Sequence, residues 1–288
     1  MRIIPAAVVV TALALCAAGC GDASGANGRE RVVAAFYPLA FAAEQVGGAR
    51  ADVKNLTPPG GEPHDVELTP REVGDLQRAD VVLYLSHGFQ PAVEQAVEGA
   101  QGKRADALAG IGLRKGGGEE SDKADPHVWL DPVLFARVVE RVGAALGRPR
   151  RAEALARRVR ALDGRYRSGL AHCAGRQFVT THAAFGYLAR RYRLHEVAIT
   201  GIDPESEPSP QRLAELIGLV RREHLGTVFF ERLVSPRLAR TIARDAGAKA
   251  RVLDPIEGLT EDEERQGADY FTLMRQNLAA LREALRCR

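Results

Sequence analysis

The chain has 288 residues, of which 45% are hydrophobic and 6% aromatic. This length and composition exclude a disordered chain and are sufficient for two lobes, each with a core of its own. The 40 lysines and arginines nearly balance the 37 acidic residues, giving a net charge of +3. The charge therefore gives no support for a nucleic-acid-binding surface, and we expect no nucleic-acid partner.

The first 19 residues have the composition of a signal peptide. A mostly apolar run, 3–15, ends in small residues that lead directly to Cys20. This run is shorter than the roughly 20 apolar residues that span a bilayer. The small residues before the cysteine resemble a bacterial lipobox, although Ala17 stands where that motif usually has leucine. We therefore expect lipidation of Cys20 and anchoring to the outer face of the cell membrane. An ordinary secretory signal is the alternative.

Export permits disulfide bonds, and two cysteines remain after the signal peptide and Cys20 are set aside. These are Cys173 and Cys287, which we predict to be paired. A role as metal ligands is less favoured, because neither lies near another cysteine at the spacing of a zinc site.

Strand and helix patterns alternate after a tether of small and polar residues over 20–30. The first lobe is predicted over 31–140, and Thr69-Pro70-Arg71-Glu72 is a capping box that opens one of its helices. Its predicted strands lie at 32–36, 53–56 and 81–85.

A long helix-forming segment follows and is interrupted near Gly147-Arg148-Pro149. We predict a linking helix over 141–174 and a second lobe over 175–288. The predicted strands of the second lobe lie at 177–181, 197–199, 227–230 and 250–253. The predicted fold class is α/β, with two Rossmann-like lobes on either side of a cleft.

Three histidines have similar positions relative to the predicted strands. His64 and His127 lie in loops, and His182 lies at the carboxyl end of a strand, as does Asp254. Ligands of open α/β sheets bind outside the carboxyl ends of strands, so these side chains are candidates for one metal site in the cleft. Three imidazoles and a carboxylate suit zinc, whereas manganese favours more oxygen ligands. The pattern alone does not select these histidines over the other four, His87, His172, His195 and His224.

Six motifs follow one another along the chain: EPHDVELTP, DPHVWLDP, VTTHAAFGYLARRY, EPSP, FFERLVSP and VLDPIEGLT. Together and in this order they resemble the metal-binding solute-binding lipoproteins of bacterial ABC importers, the ZnuA/TroA-like group of zinc type, cluster A-I. The resemblance covers essentially the whole chain after the tether. It implies a long rigid helix between the lobes, an ABC importer permease as partner, and His64, His127, His182 and Asp254 as metal ligands.

The same resemblance bears on the choice of metal. Manganese-type members tend to have glutamate where His182 stands, so Zn²⁺ is the expected transported ion and Mn²⁺ the alternative. Many zinc members carry a long His-rich loop before the second motif, whereas the loop here is short and contains no histidine. Scavenging of zinc by such a loop is therefore not expected.

Three carboxylates are candidates for fixing the imidazole tautomers, namely Glu62, Asp125 and Glu231, and Glu231 is also an alternative ligand. A zinc hydrolase is the rival interpretation, but Asp254 would fill the open position that catalysis requires. The sequence has no HExxH or GxSxG motif. We expect a monomeric binding protein rather than an enzyme. An adhesin that retains the fold is a third possibility.

Overall fold

The computed structural model describes residues 28–116 and 123–288. The expected signal peptide, the lipidation site Cys20 and most of the tether lie outside the described residues. Among the helices of this part of the chain, none combines the length and the apolar character that crossing a membrane would require.

The first lobe contains a parallel four-stranded sheet in the order β2-β1-β3-β4. Its strands are β1 (Glu30–Ala34), β2 (Ala51–Asn55), β3 (Val81–Tyr84) and β4 (Lys103–Asp106). Its helices are α1 (Tyr37–Gly47), α2 (Pro70–Arg78) and α3 (Pro91–Val97). The predicted capping box opens α2, since the Thr69 hydroxyl accepts from the Glu72 amide while the Glu72 carboxylate accepts from the Thr69 amide.

The second lobe repeats this topology in a parallel sheet of order β6-β5-β7-β8. Its strands are β5 (Gln177–Thr180), β6 (His195–Ala198), β7 (Thr227–Phe230) and β8 (Lys249–Val252). Its helices are α6 (Gly186–Tyr192), α7 (Pro210–Arg222), α8 (Arg237–Ala246), α9 (Glu261–Arg265) and α10 (Tyr270–Ala284). Two parallel-sheet α/β lobes confirm the predicted fold class.

The segment between the lobes consists of two helices, α4 (Pro132–Ala145) and α5 (Pro149–Gly169). The break falls where the sequence predicts it, because Gly147 has φ 63° and Pro149 begins α5 at a position that needs no amide donor. The boundary expected between 140 and 141 lies inside α4. With 21 residues, α5 is about 30 Å long at the rise of an α-helix and is the linking helix.

The core extends from the first lobe into the helices between the lobes. Val33, Leu39, Val139 and Val159 belong to one buried cluster that also includes residues of α10, so the closing helix packs against the linking helix. The Tyr166 hydroxyl donates to the Met274 carbonyl at 2.7 Å, joining α5 to α10. Cys173 and Cys287 form the predicted disulfide near the ends of the same two helices.

Candidate metal centre

The site lies between the carboxyl ends of strands from both lobes. His64 is in the loop between β2 and α2, and His127 directly precedes a short 3-10 turn, Val128–Leu130. His182 follows β5, and Glu257 lies in the loop after β8. Because parallel strands all end at the same edge of their sheet, the loops that follow them converge.

The structure brings the three predicted histidines together around the carboxylate of Glu257. The Oε1 atom of Glu257 lies 3.1 Å from Nε2 of His127, 3.4 Å from Nε2 of His182 and 3.6 Å from Nε2 of His64. The Nε2 atoms of His127 and His182 are 3.3 Å apart. These four side chains could hold a metal ion.

Asp254 is the one predicted ligand that the structure does not bring to this cluster. Its carboxylate accepts from the Ile256 amide at 2.7 Å and lies 3.2 Å from Nε of Arg232. Ile256 has φ 57°, a left-handed conformation that is rare for a β-branched residue, and it lies between the two acids. The resulting turn directs Glu257 towards the histidines while Asp254 stabilises the turn itself. The structure therefore groups Glu257, rather than Asp254, with the three histidines.

Two of the three predicted orienting carboxylates contact imidazole rings. Asp125 Oδ1 lies 2.9 Å from Nδ1 of His127, and Glu231 Oε1 lies 2.8 Å from Nδ1 of His182. An ionised carboxylate accepts but does not donate, so each Nδ1 carries a hydrogen. In the neutral form of either ring, Nε2 then presents a lone pair to the centre. Glu231 also accepts from the hydroxyl of Thr181, and it is an orienting group rather than a member of the cluster.

Glu62 has a different contact. Its Oε1 accepts from the main-chain amide of His64 at 3.1 Å, so it fixes the loop rather than the imidazole ring. Burial raises the pKa of Glu62 to about 8, and the nearby charge of Glu257 adds to the effect. This carboxyl is therefore protonated near neutral pH and adds little negative charge to the site.

The pKa values of the three histidines are shifted in different directions, although burial lowers all three. Burial lowers the pKa of His127 and of His182, but the neighbouring carboxylates outweigh it and leave both values raised, that of His182 strongly. Burial prevails at His64, whose pKa is lowered. Burial also raises the pKa of Glu257, yet the His182 charge and the close approach of the three imidazoles hold it well below its usual range. The site thus favours protons on His127 and His182 beside an ionised Glu257.

Glu257 is a buried acid whose surroundings supply no permanent donor. Its side chain is 1% exposed, and within residues 28–116 and 123–288 neither of its oxygens has a hydrogen-bond partner. A buried carboxylate without compensation is costly. With the tautomers set by Asp125 and Glu231, lone pairs of nitrogen and oxygen face one another, and protons or a cation at the centre would relieve their repulsion.

Aromatic rings close the site on the side of the first lobe. The ring of Phe89 meets that of His64 edge to face at 4.6 Å between centroids, and the Trp129 ring lies 5.0 Å from that of His127. Both rings are buried. They exclude water from one side of the histidines and limit the rotation of the imidazoles.

Comparison with known protein families identifies the group to which the fold and site belong. Residues 32–284 match the family described as ZnuA, zinc-uptake complex component A, periplasmic. The chain belongs to the ZnuA family. The match spans both lobes and includes all four residues of the cluster.

Two relatives of known name differ in how much of their own length this chain matches. It is 32% identical to the high-affinity zinc uptake system protein ZnuA of Bacillus subtilis, and the match covers 96% of both chains. It is 34% identical to the zinc-binding lipoprotein AdcA of Streptococcus pneumoniae over 94% of this chain. That match covers 58% of AdcA, so the chain spans little more than half of this longer relative.

Solved structures share the fold over most of the chain. The Zn(II)-bound ZnuA-like domain of Streptococcus pneumoniae AdcA matches with a TM-score of 0.77 and 34% identity, covering 90% of this chain and 99% of that domain. The laminin binding protein of Streptococcus agalactiae matches with a TM-score of 0.81 and 29% identity, covering 89% of this chain and 99% of the other.

The predicted fourth ligand and the fourth residue of the observed cluster are different acids of the same motif. VLDPIEGLT contains two acids three positions apart, Asp254 and Glu257, and the one that directly follows the strand was chosen. An available signal was the Asp-Pro pair, which is typical of a turn in which the aspartate accepts from its own main chain.

Proposed function

We propose that the protein captures Zn²⁺ outside the cytoplasm and delivers it to the permease of an ABC importer. One observation carries the proposal: Nε2 atoms of His64, His127 and His182 converge on the buried carboxylate of Glu257. The proposed ligands are these four residues, with Asp125 and Glu231 as orienting groups.

The spacing of the four donors is compatible with zinc, and their chemical types favour it. In a tetrahedral zinc site with bonds of about 2.0 to 2.2 Å, neighbouring donors lie about 3.3 to 3.6 Å apart. Four of the six separations between donor atoms in this cluster are 3.1, 3.3, 3.4 and 3.6 Å, and all six are within 4.8 Å. Three imidazoles and one carboxylate match zinc chemistry, whereas manganese prefers a site with more oxygen ligands. Manganese is therefore the less favoured cargo.

The four protein donors also argue against catalysis. Catalytic zinc sites keep a position open for water, while sites with four protein ligands are closed. Glu257 fills the fourth position here in place of the expected Asp254. A binding protein is thus favoured over a zinc hydrolase, and an assay for hydrolysis by the zinc-loaded protein is expected to show no activity above that of zinc alone.

Export and anchoring complete the proposal. The apolar start of the sequence and Cys20 support a lipoprotein held at the outer face of the cell membrane. We propose a monomer that meets the permease at the membrane surface. Replacing Cys20 with serine should release the protein from the membrane fraction and leave its zinc affinity unchanged, which fractionation and calorimetry measure separately.

Competition calorimetry of the metal-stripped protein with zinc and with manganese tests the central proposal. We expect one zinc ion per chain, stronger binding of zinc than of manganese, and loss of this binding in His127→Ala. The matched control is His172→Ala, an exposed histidine outside the cluster, which should bind zinc as the parent does. Absence of zinc binding by the parent protein, or equal loss in both variants, would contradict the proposal.

Delivery requires a separate experiment. Cells that lack the protein should grow poorly when zinc is chelated, and the parent gene should restore both growth and zinc accumulation. His127→Ala should restore neither, although it should be exported in equal amount. Full rescue by this variant would show that metal capture at the site is not what the importer uses.

A further inference from the structure

A cavity of about 200 Å³ lies next to the metal centre, and His64 forms part of its wall. His64 is the most accessible residue of the cluster: its side chain is 9% exposed, whereas those of His127 and His182 are fully buried and that of Glu257 is 1% exposed. Among the described residues, the Nε2 atom of His64 has no hydrogen-bond partner. An ion that enters the cluster from this cavity would therefore meet His64 first.

Charged side chains also line this cavity. Asp65 and Asp203 contribute two carboxylates, and Lys123 contributes one ammonium group. Negative charge therefore exceeds positive charge along this wall. A cleft lined by an excess of one sign of charge concentrates ions of the opposite sign and speeds their association.

His87 also lines this cavity and is exposed to solvent. It follows β3 with φ 74°, and Gly88 continues the turn with φ 81°. The next residue, Phe89, packs edge to face against the ring of His64. The turn that exposes the imidazole of His87 thus also holds the aromatic ring that positions the outermost histidine of the cluster.

We propose that this cavity is the path by which the metal ion enters and leaves, and that His87 is a transient ligand at its mouth that passes the ion to His64. An imidazole is a good zinc ligand when neutral, and an exposed imidazole can exchange water for metal without a change in the fold. This inference rests on the proposed zinc-binding function and adds a site that precedes the buried one.

Stopped-flow measurements with zinc ions and a fluorescent zinc chelator test this role. His87→Gly removes the imidazole and keeps a backbone suited to positive φ. A transient ligand lowers the barrier in both directions, so the rate constants of association and dissociation should both fall, by a factor on the order of ten, while the equilibrium Kd stays unchanged. The matched control is His224→Gly, since His224 is also exposed, has φ 50° and does not line the cavity.

Each outcome has a definite meaning. The role of His87 would be overturned if zinc associated with and dissociated from His87→Gly as fast as it does with the parent and with His224→Gly. A large rise in Kd would also overturn it, because His87 would then belong to the equilibrium binding site. Asp65→Asn should slow association and weaken its dependence on ionic strength, and unchanged association there would overturn the entry path. Failure of the parent protein to bind zinc at all would instead contradict the proposed function, so the two failures are distinguishable.

Discussion

The indole N–H of Trp129 donates a hydrogen bond to the main-chain oxygen of Pro255, and the two atoms are 2.7 Å apart. Trp129 lies two residues after His127, and Pro255 lies two residues before Glu257. This buried bond therefore ties a ligand loop of the first lobe to a ligand loop of the second. The Tyr270 hydroxyl strengthens the connection by donating to the main-chain oxygen of Trp129 at 2.6 Å.

Trp129→Phe should weaken both folding and zinc binding. The substitution leaves the buried Pro255 carbonyl without its donor, which costs about 1 to 3 kcal/mol of unfolding free energy. The two loops would also lose their alignment, so zinc affinity should fall. Urea unfolding and calorimetry measure the two effects. Tyr166→Phe is the matched control, because it removes a buried bond from the linking helix to Met274 of α10 and should lower stability alone. Equal loss of zinc affinity in both variants would contradict the proposed link.

Glu257→Gln and Asp254→Asn distinguish the observed cluster from the one expected from sequence. Glu257→Gln removes the anionic donor of the cluster, and breaking a buried charge pair costs about 3 kcal/mol or more, which corresponds to a loss of affinity of more than about a hundredfold. Asp254→Asn should alter the turn at Ile256 and change affinity by about tenfold or less. Zinc titration of both variants tests this expectation. A larger loss of zinc affinity in Asp254→Asn than in Glu257→Gln would indicate that Asp254 is the ligand.

Asp125→Asn and Glu231→Gln should each lower zinc affinity by about 10- to 100-fold, as expected for groups that orient metal-binding imidazoles. An amide can donate to Nδ1, which would place the hydrogen on Nε2 and block the lone pair. Glu62→Gln is the comparison, since Glu62 contacts the main chain of His64 rather than a ring. Calorimetry should show a smaller effect for it, and losses of the same size in all three variants would indicate a general effect of charge.

Zinc affinity should fall as the pH is lowered. Carboxylates raise the pKa values of His127 and His182, so protons occupy these rings below the raised values and must leave when zinc binds. Each proton released corresponds to about a tenfold weaker affinity per pH unit below that pKa, and the dependence should level off above it. Competition titrations at about pH 6, 7 and 8, with calorimetry in two buffers to count protons, test this. Equal affinity at all three values would contradict it.

Removal of the disulfide should affect stability without affecting the site. Cys173 and Cys287 are separated by 114 residues, and loss of such a bridge typically costs about 2 to 5 kcal/mol. Neither cysteine belongs to the metal cluster. The Cys173→Ser, Cys287→Ser double variant should therefore unfold at a lower urea concentration and bind zinc as tightly as the parent when folded. A loss of affinity in the folded variant would show that the bridge positions the lobes.

Local sequence signals predicted the regular elements well where a strand is buried on both faces. The run that contains Thr227–Phe230 is apolar, and β7 has the predicted bounds. The edge strand β4 was missed, because its sequence Lys-Arg-Ala-Asp has no apolar periodicity and it is held by pairing with β3. The helix break at Pro149 was predicted for a different reason. Proline fixes its own backbone φ angle, so its effect on the helix boundary is local.

By itself, the sequence determined the two α/β lobes and the break between the helices that join them, because capping residues, prolines and strand ends act within a few positions. The three histidines were selected by family resemblance rather than by a local pattern. The sequence also supplied the cysteine pair. The tertiary structure decided between Asp254 and Glu257, since the choice depends on a left-handed residue between them and on partners distant in sequence, Arg232 and the histidines. It also decided which carboxylates orient the rings. Distances across the cleft are set by the packing of both lobes, and no local pattern encodes them.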